Sequence, residues 1–114
     1  MIVAEGLLMY FTETELDSLM GQLVSNFADA DMFIELLAPG AVEGDLNCYS
    51  KDAEFKWSLL YAKDMEMINP KIHYTCEWCV LDFYKDRWRW MADFSEYPMI
   101  RNYFGERIVH LQIH

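Results

Sequence analysis

The sequence predicts an α/β fold with mixed strand pairing, on three observations. Short apolar runs at residues 1–4 and 32–37 have strand length, a strongly patterned amphipathic helix lies between them, and residues 108–113 alternate. A strand, a helix and a second strand in that order imply a right-handed βαβ crossover and two parallel neighbours. With 114 residues the chain holds one domain, spanning 1–114, and nothing in it repeats at a solenoid period.

The elements follow in order. Met1-Ile2-Val3-Ala4 is too short for a helix and is closed by Glu5-Gly6, so it reads as a buried strand ending in a tight turn. Thr12-Glu13-Thr14-Glu15 matches a capping box, in which the Thr oxygen accepts an amide proton of the first turn and the Glu reaches back to the cap amide. Leu16, Leu19, Met20, Leu23, Val24 and Phe27 then form an apolar face, with Glu13, Asp17, Gln22, Ser25 and Asn26 outward. Met32 to Leu37 is the second strand, stopped by Pro39-Gly40. Residues 38–50 are loop by composition and leave the carboxyl end of that strand. Asp52 to about Lys63 reads as a helix with Phe55, Leu59 and Ala62 inward, and a short turn from Asp64 ends before Asn69-Pro70, where proline disfavours helix in the residue before it. Lys71 to about Trp78 reads as a strand, Asp86 to about Tyr103 as a helix broken near Tyr97 by Pro98, and Ile108 to Ile113 as a closing strand.

Composition excludes several classes. A hydrophobic fraction of 54% with 16% aromatics is too apolar for a disordered chain. Nineteen acids against nine bases give a net charge of −10, which repels phosphate backbones, so no nucleic-acid partner is expected. No run approaches the roughly 18–20 apolar residues that cross a bilayer, and Glu5 arrives too early for a signal peptide, so we expect a cytoplasmic protein without a membrane partner. Three cysteines, Cys48, Cys76 and Cys79, cannot all pair within one chain, which suits a reducing compartment. The first fifty residues hold nine acids and no Lys or Arg, either as solvated decoration or as a surface awaiting a cationic complement.

Chemistry in a parallel sheet gathers outside the carboxyl ends of its strands, where turns and helix amino termini converge. Glu5 holds that position beside Gly6; its carboxylate either accepts hydrogen bonds from a ligand ammonium or hydroxyl, or caps the turn and faces water. Cys76-Glu77-Trp78-Cys79 has C-x-x-C spacing, with Cys48, His73, His110 and His114 as conceivable further ligands, but a single pair late in a strand reads as core or incidental cysteine, and no metal is expected. Trp88, Trp90, Met91, Phe94 and Tyr97 read as core at helical spacing rather than a base-stacking platform, and the eight Met as adaptable core filling. No Ser or Cys sits in a nucleophile elbow; Asp82 and Tyr84 are surface or structural residues, or groups reaching toward an acceptor.

The segment Ile2-Val3-Ala4-Glu5-Gly6-Leu7-Leu8-Met9-Tyr10-Phe11-Thr12, followed by an acidic helix start, resembles the fourth strand and its turn in the leucine carboxyl methyltransferase family. It is closer to the bacterial branch of S-adenosylmethionine-dependent O-methyltransferases associated with polyketide synthesis. Phe55-Lys56-Trp57, Glu77-Trp78, Asp82-Phe83-Tyr84, Arg87-Trp88-Arg89-Trp90 and Arg107-Ile108-Val109-His110-Leu111 resemble that branch in the same order. The resemblance implies a Rossmann-like sheet of seven strands, of which this chain supplies the fourth to the seventh, the last one antiparallel. It implies S-adenosylmethionine as cofactor, with Glu5 and Gly6 against its methionine portion, and places Tyr10 and Tyr49 near the pocket of a small-molecule hydroxyl or carboxyl acceptor. The glycine-rich turn after the first strand and the acid after the second have no counterpart, and no G-x-G occurs. The resemblance therefore implies the carboxyl-terminal half of an enzyme, inactive without its amino-terminal half; otherwise the chain is a non-catalytic interaction or dimerisation module, or a remnant. In the full fold the fourth strand lies beside the first, so residues 1–4 become an edge here. Such an edge invites a homodimer or a complementing amino-terminal fragment.

Overall fold

The computed structural model describes residues 1–39, 55–79, 102 and 105–114. Four strands form one sheet in the order β1-β2-β4-β3: β1 Ile2–Ala4, β2 Asp31–Leu36, β3 Ile72–Cys79 and β4 Arg107–Ile113. β1 and β2 are parallel, with Ile2 beside Met32 and Ala4 beside Ile34. β4 enters between β2 and β3 and is antiparallel to both, so three strands run one way and only the last is reversed. The α/β class and the mixed pairing are thus as the sequence indicates.

The 14-residue α1, Glu13–Asn26, joins β1 to β2. Thr12 Oγ1 accepts from the Glu15 amide at 3.3 Å, and a Glu15 carboxylate oxygen accepts from the Thr12 amide at 3.2 Å, completing the capping box. The Thr12 amide, and after it the Thr12 hydroxyl, which donates to the same carboxylate oxygen at 3.0 Å, hold the Glu15 carboxyl below its ordinary pKa. Leu16 and Met20 are buried, with Leu19, Leu23 and Val24 half-buried around them. Phe27 departs from the predicted apolar face: the helix ends at Asn26, Phe27 becomes its cap at φ −132°, and the ring turns to solvent.

The predicted helix from Asp52 is not formed where the structure describes it. Residues 55–59 are irregular, followed by a 3-10 turn at Ala62–Asp64 and a single helical turn, α2, at Met65–Ile68. Backbone groups that a helix needs are committed elsewhere. The Lys56 and Trp57 amides both donate to the Met9 carbonyl, and the Arg107 guanidinium takes the carbonyls of Leu59 and Leu60. The stop at Asn69 is as expected, with extended backbone at φ −150° before Pro70. The helix expected from Asp86, most of the loop at 38–50, and Asp82 and Tyr84 lie outside the described residues.

Alternation gives the sheet two unlike faces. On one, Met32, Ile34, Leu36, Ile72, Val109 and Leu111 pack with Leu16 and Met20 of α1 and with Trp57, Ala62 and Met65 to form the core. Arg107 lies fully buried on this face, donating to Leu60 O at 2.7 Å and 3.8 Å from a Glu77 carboxylate oxygen. The other face carries Val3, Phe33, Ile108, Trp78 and His110, and it leaves Val3 61%, Ile108 51% and Trp78 43% exposed. A register shift between Tyr74 and Cys76 interrupts β3, where the Tyr74 amide turns to a Glu66 carboxylate oxygen instead. No helix among the described residues is long and apolar enough to cross a membrane.

Candidate functional site

β1 ends at Ala4, and the chain must then reverse toward α1. Gly6 makes that turn with φ +62°, a left-handed conformation natural to glycine, and Glu5 is thereby left at the carboxyl end of the strand. The Gly6 amide is not left to solvent alone: it donates to Glu35 Oε2 at 2.9 Å. Glu35 reaches it because alternation along β2 puts Glu35 on the open face, next to Ile34 and Leu36 on the core face. Glu106 arrives from the neighbouring side, just ahead of β4, whose pairing sets Ile108 opposite Glu35. Three carboxyl groups from three chain segments therefore converge on one end of the sheet. They rim a groove of about 290 Å³ whose floor is apolar, with Val3, Phe33 and Ile108 among its lining residues.

Crowding three acids has an electrostatic consequence. Glu106 is pushed up to about 7, first by its hydrogen bond with Glu35, then by partial burial, and then by the charges of Glu35 and Glu5. Among the described residues, no base lines the groove to offset this. A carboxyl group that exchanges its proton near neutrality can donate a hydrogen bond in one state and accept one in the other.

Of the residues singled out from sequence, Glu5 and Gly6 meet at this site. Tyr10 does not line the groove: it closes the 3-10 turn Leu8–Tyr10, 39% exposed, with its ring tilted at 42° and 5.5 Å from that of Phe55. Tyr49 lies outside the described residues, as does Cys48. The C-x-x-C pair is divided by the pleat and the register, with Cys76 beside His110 on the open face and Cys79 beside Arg107 on the core face. His110 is engaged with β2, stacking on Phe33 at 4.5 Å and bonding Asp31 Oδ1 at 2.9 Å. That bond, followed by one from Gln112, lowers the Asp31 pKa. His73 and His114 meet edge to face at 4.6 Å at the other end of β3 and β4. The sequence reading missed Glu35 and Glu106 as site residues. Glu35 carries a usable signal, as the one charge inside the apolar run from Met32 to Leu37; Glu106 belongs to no pattern.

Comparison of the chain with protein-family models, with curated proteins and with solved structures gives no match in any of the three.

Proposed function

We propose that the chain is the carboxyl-terminal part of an S-adenosylmethionine-dependent O-methyltransferase acting on a small-molecule hydroxyl or carboxyl acceptor, and that it works only together with an amino-terminal part. The observation that carries this reading is the direction of the strands together with what sits at their ends. β1 and β2 are parallel, only the last strand is reversed, and the acid-glycine turn Glu5-Gly6 leaves the carboxyl end of β1. That is the arrangement the family resemblance implies for its fourth to seventh strands.

The residues present fit only one end of the cofactor. Glu5 offers a carboxylate beside an open groove, suited to the ammonium of a methionine moiety. Nothing comparable serves the ribose and adenine, because the sequence has no G-x-G turn to bring backbone amides close. This chain alone supplies no methyl-transfer step. Such a transfer depends mainly on holding donor and acceptor in line, which an incomplete site does not do.

Calorimetric titration with S-adenosylmethionine tests the reading. The purified chain should show no micromolar binding, whereas the chain joined to an upstream-encoded segment with a strand and a glycine-rich turn should bind. Glu5→Gln in that joined protein should weaken binding about tenfold, the loss of one charge-assisted hydrogen bond. Micromolar binding by the chain alone overturns the claim that its site is incomplete; a joined protein that fails to bind overturns the methyltransferase reading. The second reading, a non-catalytic interaction or dimerisation module, is favoured by the exposed Val3, Ile108 and Trp78 on the open sheet face. Upstream DNA encoding no such segment would favour it.

A further inference from the structure

We propose that the open face of the sheet is a docking surface for an amphipathic helix of a partner protein, one that sets leucine-like side chains over Ile108 and Trp78 and a lysine or arginine beside Glu5 and Glu35. Such docking holds whether or not the Glu5-Gly6 turn receives a cofactor, so the two can succeed or fail separately.

Register and pleat lay the face out in rows that cross the strands. Val3 of β1 stands beside Phe33 of β2, and Phe33 beside His110 of β4. In the next row toward the carboxyl ends of β1 and β2, Glu35 stands beside Ile108, and Ile108 beside Trp78. Glu5 follows β1 at that end, Glu106 precedes β4, and both rim the groove with Glu35. Acids therefore hold one corner, and apolar side chains run from it across the sheet to Trp78. Val3, Ile108 and Trp78 are exposed, although Val3 and Ile108 line one groove and Ile108 and Trp78 are cross-strand neighbours. A single exposed apolar residue is ordinary, whereas adjoining ones with an aromatic member have the make-up of an interface centre.

Charge selects the occupant. Of the described bases, Arg107 is buried on the opposite face, Lys56 and Lys63 lie in the segment whose Trp57 and Ala62 pack on that opposite face, and Lys71 precedes β3 at the end of the sheet away from the acids. On this face a second copy would bring the same acids and a further net charge of −10, and an anionic lipid or a nucleic acid would bring the same sign again. A cationic protein segment offers the opposite sign at the acid corner and is steered toward it. Strand spacing then sets the pattern of that segment. Neighbouring strands are about 4.8 Å apart, so Glu35 and Trp78, two spacings apart, are separated by roughly 10 Å along their row. A helix rises about 1.5 Å per residue, which puts a base at the acid corner and an apolar anchor at Trp78 about seven residues apart, two turns along one helix face. Apolar positions one turn from each then fall over Ile108.

Titration of the intact chain with a synthetic helical peptide of about 15 residues, carrying lysine at i and leucine at i+3, i+4 and i+7, tests the docking by NMR amide shifts. The expected result is saturable, low-micromolar binding that shifts Phe33, Ile108 and Trp78 and leaves Glu13 of α1 in place. Replacing the lysines of the peptide by glutamate, or its leucines by glutamine, should weaken binding about tenfold or more. Trp78→Ala in the chain should weaken it about tenfold, and Glu5→Gln combined with Glu35→Gln about fivefold. Glu13→Gln combined with Asp17→Asn removes the same charge from α1 and should leave the affinity unchanged. Equal losses from the two charge-removing pairs would mark general attraction to an acidic chain and overturn the proposal. Shifts confined to other residues would overturn it as well, as would tighter binding to anionic phospholipid vesicles. So would shifts at Ile108 and Trp78 that grow with protein concentration without peptide, the sign of a second copy on this face. Should a variant fail to fold, as read from the Leu111 amide, the wild-type chain decides with the lysine and glutamate peptides. Shifts at Ile108 and Trp78 with the first and not the second support the docking, and equal shifts or none overturn it.

Discussion

At the scale of single residues, Gly6 does two things that are separable. Its φ of +62° lets the chain reverse after β1, and its amide reaches Glu35. A Cβ built at this position meets nothing within 4 Å, so the objection to a side chain here is conformational and not a clash. An alanine in the left-handed region costs about 1 kcal/mol, while asparagine visits that region more readily. Gly6→Ala should therefore lower the stability of the chain by about 1 kcal/mol in urea unfolding, and Gly6→Asn by distinctly less. Equal losses in the two variants would show that space around Gly6, rather than its backbone angle, is what matters. The acid cluster shows why a site of this kind is hard to see in a sequence. Glu5 is legible because it follows a short apolar run and precedes a glycine. Glu35 and Glu106 gain their meaning from register, one lying outward on β2 and the other ahead of a strand that arrives from more than seventy residues away.

At the scale of elements, legibility tracks how local the determinants are. α1 is specified by its own residues: a capping box at one end and apolar spacing that buries Leu16 and Met20. Thr12→Ala removes the side-chain oxygen that receives the Glu15 amide and should cost about 1 kcal/mol, measured by urea unfolding at neutral pH. Thr12→Ser keeps that oxygen and should recover most of the loss. The strands were likewise legible to within a residue or two, since apolar runs and alternation are carried by neighbours in sequence. The segment 55–61 was not, because long-range partners decide its conformation. Met9 draws the amides of Lys56 and Trp57 to one side, and Arg107 claims the carbonyls at Leu59 and Leu60. Helical spacing of Phe55, Leu59 and Ala62 survives as a record of burial in Ala62, which is buried, while the backbone takes another path. The buried Arg107 therefore acts at this scale as a strut: a charge taken out of water on a core-facing strand position, compensated by two carbonyls and Glu77.

At the scale of the whole molecule, the unlike edges of the sheet set what the chain can join. β3, at one edge of the sheet among the described residues, is interrupted by its register shift, and its Tyr74 amide is already taken by Glu66. β1 at the other edge is short and pairs, among the described residues, with β2 alone. Strand edges that are neither charged nor covered are templates for pairing with another chain. Val3, on the open face of β1, adds an exposed apolar side chain next to the acid-rimmed groove. We expect the isolated chain to associate through this edge, as a homodimer or with a complementing amino-terminal segment, in competition with the repulsion of a net charge of −10. Light scattering over a range of concentrations separates the two forces. The apparent mass should rise with protein concentration, and rise further with added salt, because salt screens the acidic charge without weakening backbone pairing. Val3→Lys places a charge on the edge strand without altering its pairing to β2, and should hold the chain monomeric under the same conditions. A complementing segment that supplies a neighbour for β1 should suppress self-association in the unmodified chain as well. A clean monomer at high concentration and high salt would show that three residues of edge are too few to recruit a partner, leaving the groove and not the strand as the feature through which the molecule acts.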